Sequence, residues 1–216
     1  MRLQTYLTVK MLNKELIKEL EGINYLVASK YYDEKEIAEF YQLGVKDFGE
    51  NRCQDFLEKY QLLKSYDITW HFIGHLQTNK VKYVINKFDY LHSLDSYHLA
   101  KYIDKYRLTP LDCYLQVKLV QNDNKYGIHE DEILPLLDQI KELKNVHIIG
   151  LMTILDDQMD DSLKFELYHK LAQKRDWLKD NGYPDIKYLS AGMSNDYLIA
   201  LKAGSTILRL GRIFKK

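Results

Sequence analysis

Short runs rich in β-branched and aromatic residues alternate with longer amphipathic segments along almost the whole chain, and this alternation restricts the fold more than any other feature. Eight of the short runs read as strands: 24–30, 47–51, 69–75, 90–95, 113–119, 147–154, 186–193 and 206–211. Between them, 34–43, 52–64, 96–106, 131–143, 161–180 and 195–202 read as helices. In the fourth of these, Ile133, Leu136, Leu137 and Ile140 recur at helical spacing. Residues 4–20 read as a leading helix with Leu12, Leu16 and Leu20 on one face. The pattern predicts an α/β protein, a (β/α)₈ TIM barrel, with residues 1–216 forming a single domain behind an N-terminal helix. A doubly wound open sheet is the competitor, but a dinucleotide fold wants a GxGxxG after its first strand and none follows here.

In such barrels the chemistry gathers at the C-terminal ends of the strands, and phosphate is often held after strands seven and eight. Strand one ends on Lys30, strand two on Glu50-Asn51, and strand three carries His71 into GHLQTNK. Strand five leads into NDNKYGI with Lys125, strand seven ends in LSAGMSND, and strand eight ends in LRLGR. Ser190, Gly192 and Ser194 precede the last helix, for which Ser194 reads as the N-cap and Asp196 as a first-turn residue. Small residues let backbone N–H groups approach an anion, and Gly211 supplies a second wall for such a cradle. An ordinary helix cap with two turn glycines is the alternative, and Asp196 weakens an anion site if its carboxylate faces the phosphate.

Lys30 shares a strand face with Leu26 and Ala28. A lysine on a core-bearing face at the catalytic end is a candidate Schiff-base former, because desolvation raises the fraction of neutral amine. The alternative is a strand-end lysine that snorkels to water. His71 and His75 stand four apart, which on a strand separates them by about 13 Å, and no third ligand lies nearby, so no metal site is expected. His71 reads as a packed or hydrogen-bonding residue near the barrel mouth, and the other histidines look scattered.

Thirty-one basic residues balance thirty-one acidic ones, which gives no global field for nucleic acid or an anionic membrane. Cys53 and Cys113 have no ladder or CxxC spacing, as expected in a reducing compartment. The N-terminus lacks a secretory apolar region, and the apolar stretch 148–155 is far too short to cross a bilayer. The expectation is a soluble, cytoplasmic protein.

The stretches LVASK, FGEN, WHFIGHLQTNK, NKYGI, GLMTI, LSAGMSND and GSTILRLG fall in one order over roughly residues 23–211. In that order they resemble the pyridoxal phosphate homeostasis proteins, the YggS-type family of proteins that bind pyridoxal 5'-phosphate (PLP). The resemblance implies an alanine-racemase-like barrel without that enzyme's second, β-rich domain. It implies that Lys30 forms the internal aldimine with PLP, and that Asn51 and His71 are polar residues of the pocket. Ser190 and Ser194, with the backbone at Gly192 and Gly211, are implied to hold the phosphate, with Arg212 at the position of a further contact. Arg209 matches the arginine that faces the pyridine nitrogen. An arginine there disfavours protonation of the ring and suits holding the cofactor more than carbanion chemistry. The ending LGRIFKK is one residue shorter than the family's usual one.

The function this resemblance implies is PLP homeostasis without evident catalysis, by a monomer that exchanges PLP with PLP-dependent apoenzymes. In the related racemases a second base is a tyrosine on the domain with no counterpart here. Lys125 is a candidate secondary amine for transient docking. The rival readings are a PLP-dependent amino-acid racemase, a cofactor-free Schiff-base aldolase using Lys30 with Glu50 as the only obvious proton shuttle, and a protein-binding scaffold.

Overall fold

The computed structural model describes residues 12–120 and 126–215. Lys125 and the first part of the expected leading helix, residues 4–11, lie outside the described residues.

Eight parallel strands follow one another around a barrel: β1 (Tyr25–Ala28), β2 (Asp47–Glu50), β3 (Thr69–Phe72), β4 (Tyr90–Leu94), β5 (Leu111–Gln116), β6 (Val146–Met152), β7 (Tyr188–Ser190) and β8 (Leu208–Leu210). Sequential neighbours pair from β1 through β7, and β8 returns to pair with β1 through Leu26 and Arg209. The remaining seam, between β7 and β8, has a single ladder position, Ser190 with Ile207. Backbone bonds around it, among them Thr206 N–H to the Leu189 carbonyl at 2.9 Å and Arg209 N–H to the Gly192 carbonyl at 3.0 Å, are supplemented by hydroxyls. The Leu189 N–H donates to Thr206 Oγ1 at 2.8 Å, and Ser205 Oγ donates to the Ala191 carbonyl at 2.7 Å. The Ser-Thr pair of GSTILRLG thus takes over part of the ladder where β7 is too short to supply it.

The helices are α1 (Lys14–Glu19), α2 (Glu34–Gln42), α3 (Cys53–Leu62), α4 (Thr78–Val84), α5 (Tyr97–Tyr106), α6 (Ile133–Ile140), α7 (Asp161–Asp180) and α8 (Tyr197–Lys202). Leu12, Leu16 and Leu20 are all buried, so the apolar face expected of the leading segment packs inward. Asp33 starts α2 with a capping box, accepting from the Lys35 and Glu36 N–H groups while Glu36 returns to the Asp33 N–H. α4 has no counterpart among the expected helices. Its seven residues, TNKVKYV, bury only Val81 and Val84, too few apolar positions to show a period.

Large aromatic side chains fill the layer between sheet and helices. Phe40 of α2 lies edge-on to Tyr32, Phe48 and Phe214, at centroid distances of 4.9, 6.2 and 5.4 Å. Phe56 of α3 does the same for Trp70, Phe72 and Phe88. Each fully buried ring contributes about 2–3 kcal/mol by leaving water, with a further increment for the edge-to-face geometry. With Tyr25 of β1 5.7 Å from Phe214, the first cluster ties β1, α2, β2 and Phe214 together, which sets the strand ends that carry the site.

Candidate functional site

The sheet ends at Ala28, and Ser29–Tyr31 form a single 3₁₀ turn. Lys30 therefore leaves the strand face it was expected to share with Leu26 and Ala28, and its side chain is exposed. Its ammonium sits 5.0 Å from the centre of the Tyr31 ring. Buried neighbours lock the turn. Ser29 Oγ lies 3.0 Å from the Gly49 carbonyl and 2.9 Å from Glu50 Oε2. Lys59 of α3 reaches both the Ser29 carbonyl and Glu50 Oε2 at 2.7 Å. The other Glu50 oxygen accepts from the Asn51 N–H at 2.7 Å. Tyr32 donates its hydroxyl to the Gly211 carbonyl at 2.7 Å, so the lysine turn is pinned to the end of β8.

Gly211 lets the lysine turn pack this close because it lacks a side chain: a Cβ there would stand 2.6 Å from the Tyr31 ring. The Gly211 and Ile213 N–H groups point toward one atom, Ser194 Oγ, at 3.2 and 3.4 Å. Ser194 does not cap α8 as its sequence position suggested. The N-cap is Asp196, whose carboxylate accepts from the Met193 N–H at 2.7 Å and from the Tyr168 hydroxyl at 2.7 Å. That carboxylate is buried against its two donors, which removes the objection that it repels an anion in the cradle. With α8 beginning only after Asp196, Ser194 lies outside the helix and faces the β8 loop.

Gly192 has φ +91°, and a Cβ on it would come within 2.6 Å of Ala200 Cβ and 3.0 Å of Leu208. Gly192→Ala is therefore expected to destabilise the protein by about 1–3 kcal/mol, combining backbone strain with overpacking against α8. A urea melt compared with wild type checks this, and an unchanged midpoint would count against it.

Arg209 is buried, donating to Ser190 Oγ at 2.6 Å and to the Thr153 carbonyl at 2.7 Å. Burial draws its pKa below the usual guanidinium value, while Tyr168, Asp196 and Tyr114 pull it back up. Ser190 is itself fully buried beneath Arg209 and lies in the barrel interior. It was expected among the cradle residues, but the short β7 ends at Ser190 with its side chain turned inward. Arg212 sits exposed at the rim, 3.2 Å from Asp157, which also accepts from Asn195 at 3.0 Å. Asn51 Oδ1 is buried with no hydrogen-bond partner among the described residues.

His71 departs furthest from expectation. Strand register pairs it with Gly49 and with Tyr90, the first residue of β4, so it points into the interior near the strand starts. Its Nε2 lies 3.0 Å from Asp47 at the opening of β2, and its Nδ1 lies 2.9 Å from His92 Nε2. It therefore borders a cavity of about 660 Å³ at the N-terminal face, opposite the lysine turn. His92 does not stand out in sequence beyond being one of the scattered histidines, although a histidine in the run YLHSL was the signal that a polar group enters the core. His92 is fully buried, with Nδ1 2.8 Å from Ser190 Oγ. Burial and the nearby His71 and Arg209 hold its pKa well below the ordinary imidazole value.

The mouth thus gathers an exposed amine, two convergent N–H groups, a buried guanidinium and an orphaned amide oxygen. No cluster of three or more His, Cys, Asp or Glu able to hold a metal occurs among the described residues. The donor set suits a ligand with an anionic group and an amine-reactive carbon.

The family model of the alanine racemase N-terminal domain matches residues 32–214. A pyridoxal phosphate homeostasis protein of Aquifex aeolicus is 39% identical, covering 87% of this chain and 84% of its own length. The protein of the same name from Escherichia coli K12 is 34% identical, with 88% and 84% covered. Among solved structures, PipY of Synechococcus elongatus without PLP superposes with a TM-score of 0.87 and 31% identity, covering 93% of this chain and 99% of that one. PipY with PLP bound gives a TM-score of 0.84 at 29% identity and the same coverage. A viral arginine decarboxylase, at 17% identity and TM-score 0.70, shares the fold alone.

Proposed function

The chain belongs to the pyridoxal phosphate homeostasis protein family, on the alanine racemase N-terminal domain, and from that premise we propose that it holds PLP at the barrel mouth. The observation that carries this reading is the convergence of the Gly211 and Ile213 N–H groups beside the turn that presents Lys30. When bound, PLP supplies an aldehyde that condenses with a lysine amine and colours the protein. Lys30 offers the amine. The Gly211 and Ile213 N–H groups and the Ser194 hydroxyl would hold the phosphate, with Gly192 permitting the tight approach of β7 to α8. Arg212 adds positive charge at the rim, and Asn51 Oδ1 orients a polar group of the ring. Arg209 would face the ring nitrogen and disfavour its protonation. Ser190 serves this site through Arg209.

The same residues favour holding over turnover. A cationic partner at the ring nitrogen gives a poor electron sink, and both Glu50 oxygens are occupied by Ser29, Lys59 and the Asn51 N–H, so Glu50 is not free to shuttle protons. We read residues 1–216 as one PLP-binding domain acting as a cytoplasmic monomer that exchanges PLP with apoenzymes. Among the described residues, no helix is long and apolar enough to cross a membrane.

The purified protein, incubated with PLP and freed of excess, is expected to show a visible band that borohydride removes with retention of the added mass. A chiral assay of the loaded protein with alanine is expected to give no interconversion above buffer. A protein that stays colourless with PLP overturns the binding reading, and rapid racemisation overturns the non-catalytic one.

A further inference from the structure

A chain of hydrogen bonds crosses the barrel interior from Arg209 to Asp47, through Ser190, His92 and His71, with steps of 2.6, 2.8, 2.9 and 3.0 Å. Its Asp47 end fixes its direction when both rings are neutral. A guanidinium only donates, so Ser190 Oγ accepts from Arg209, and its hydroxyl hydrogen is aimed at His92 Nδ1 because the Asp47 end leaves that nitrogen bare. His92 then carries its proton on Nε2 and donates to His71 Nδ1, and His71 donates from Nε2 to Asp47, whose carboxylate only accepts. Every ring nitrogen is satisfied with both histidines neutral. The interior around them leaves little room for another arrangement: Tyr90 stacks on His71 at 4.6 Å and Tyr114 on His92 at 4.2 Å. Tyr25, Asp112 and Tyr188 border the cavity on which Asp47 opens, and the Asp47 side chain is 44% exposed there.

We propose that Asp47, His71 and His92 are positioning residues, a one-way donor chain that sets the Ser190 hydroxyl and holds Arg209 in place from the opposite face of the barrel. The inference rests on the PLP reading only where it concerns the cofactor. Oriented hydrogen bonds between a cation and an anion polarise one another, so removing the charge at one end weakens the order at the other. Asp47→Asn is nearly isosteric and tests this without opening a cavity. Its amide can donate, which allows the whole chain to reverse: His71 then donates from Nδ1, His92 donates from Nδ1, and Ser190 loses its acceptor.

Nitrogen-detected NMR of the histidine rings, on the full chain without added PLP, reads the direction. His71 and His92 are assigned with single substitutions. Both are expected as the Nε2–H form in wild type, and His92 is expected to shift toward Nδ1–H in Asp47→Asn. PLP retention in Asp47→Asn is expected to fall about fivefold, as for a charge-linked hydrogen bond of roughly 1 kcal/mol. A purely structural Asp47 moves neither the His92 tautomer nor the retention. Nδ1–H on either ring in wild type overturns the direction, and this needs no variant to fold. The expected tautomers with unchanged PLP retention overturn the positioning of Arg209. A wild type that takes up no PLP sinks the proposed function and the cofactor half of this inference, while the tautomer result still decides the chain itself.

Discussion

Lys30→Ala is expected to fold as wild type does and to lose the borohydride-trapped PLP label almost completely. The Lys30 side chain is exposed, and its one described interaction is the contact with the Tyr31 ring, so its removal should change stability by less than about 1 kcal/mol. The turn beneath it is held by Ser29, Lys59, Glu50 and Tyr32, none of which touches the lysine amine. Binding and folding are therefore separable at this residue. Peptide mapping after borohydride gives the result directly. Full labelling of the variant would overturn Lys30 as the PLP lysine, and a small remainder on Lys125 would fit that residue's suggested role as a secondary amine.

Glu50→Ala is expected to cost about 3–5 kcal/mol, because it removes one partner of a buried ion pair and leaves the other unmatched. Glu50 has no exposed surface and Lys59 keeps only 15% of its side chain exposed, at a separation of 2.7 Å. The loss also frees Ser29 Oγ and the Asn51 N–H, so the turn that presents Lys30 and the adjacent end of β2 loosen together. Slower PLP uptake should accompany the lower urea midpoint. Glu50→Gln keeps an acceptor for Asn51 and should lose less on both measures. A Glu50→Ala midpoint within about 1 kcal/mol of wild type would mean that Lys59 escapes to water along its own stem, and the turn would then owe its rigidity to Tyr32 and Gly211.

The sequence located all eight strands, because a parallel barrel buries both faces of its sheet and such strands read as short apolar runs between turn residues. Lys30, Ser194 and Gly211 were marked as site residues for a related reason: their positions at strand ends follow from chain order alone. α4 escaped because Val81 and Val84 are its only buried residues. α8 starts two residues beyond the cap expected at Ser194: Asp196 holds the N-cap position, and its carboxylate turns away from the helix to the Met193 N–H and to Tyr168 of another helix.

His71 shows where sequence reasoning stops. Alternation on β3 puts its side chain on one face, but which end of the barrel it serves depends on how far β3 is staggered against β2 and β4. That stagger brings it to Asp47 and His92, and brings His92 to Ser190, 98 positions further along the chain. By itself the sequence determined the strand count and the order of the strand ends, because these depend on local pattern, whereas the turn that lifts Lys30 off the strand face appeared only in the structure. Only the tertiary structure decided which polar groups meet inside the barrel, since each hydrogen bond there joins strands whose relative register no local pattern contains.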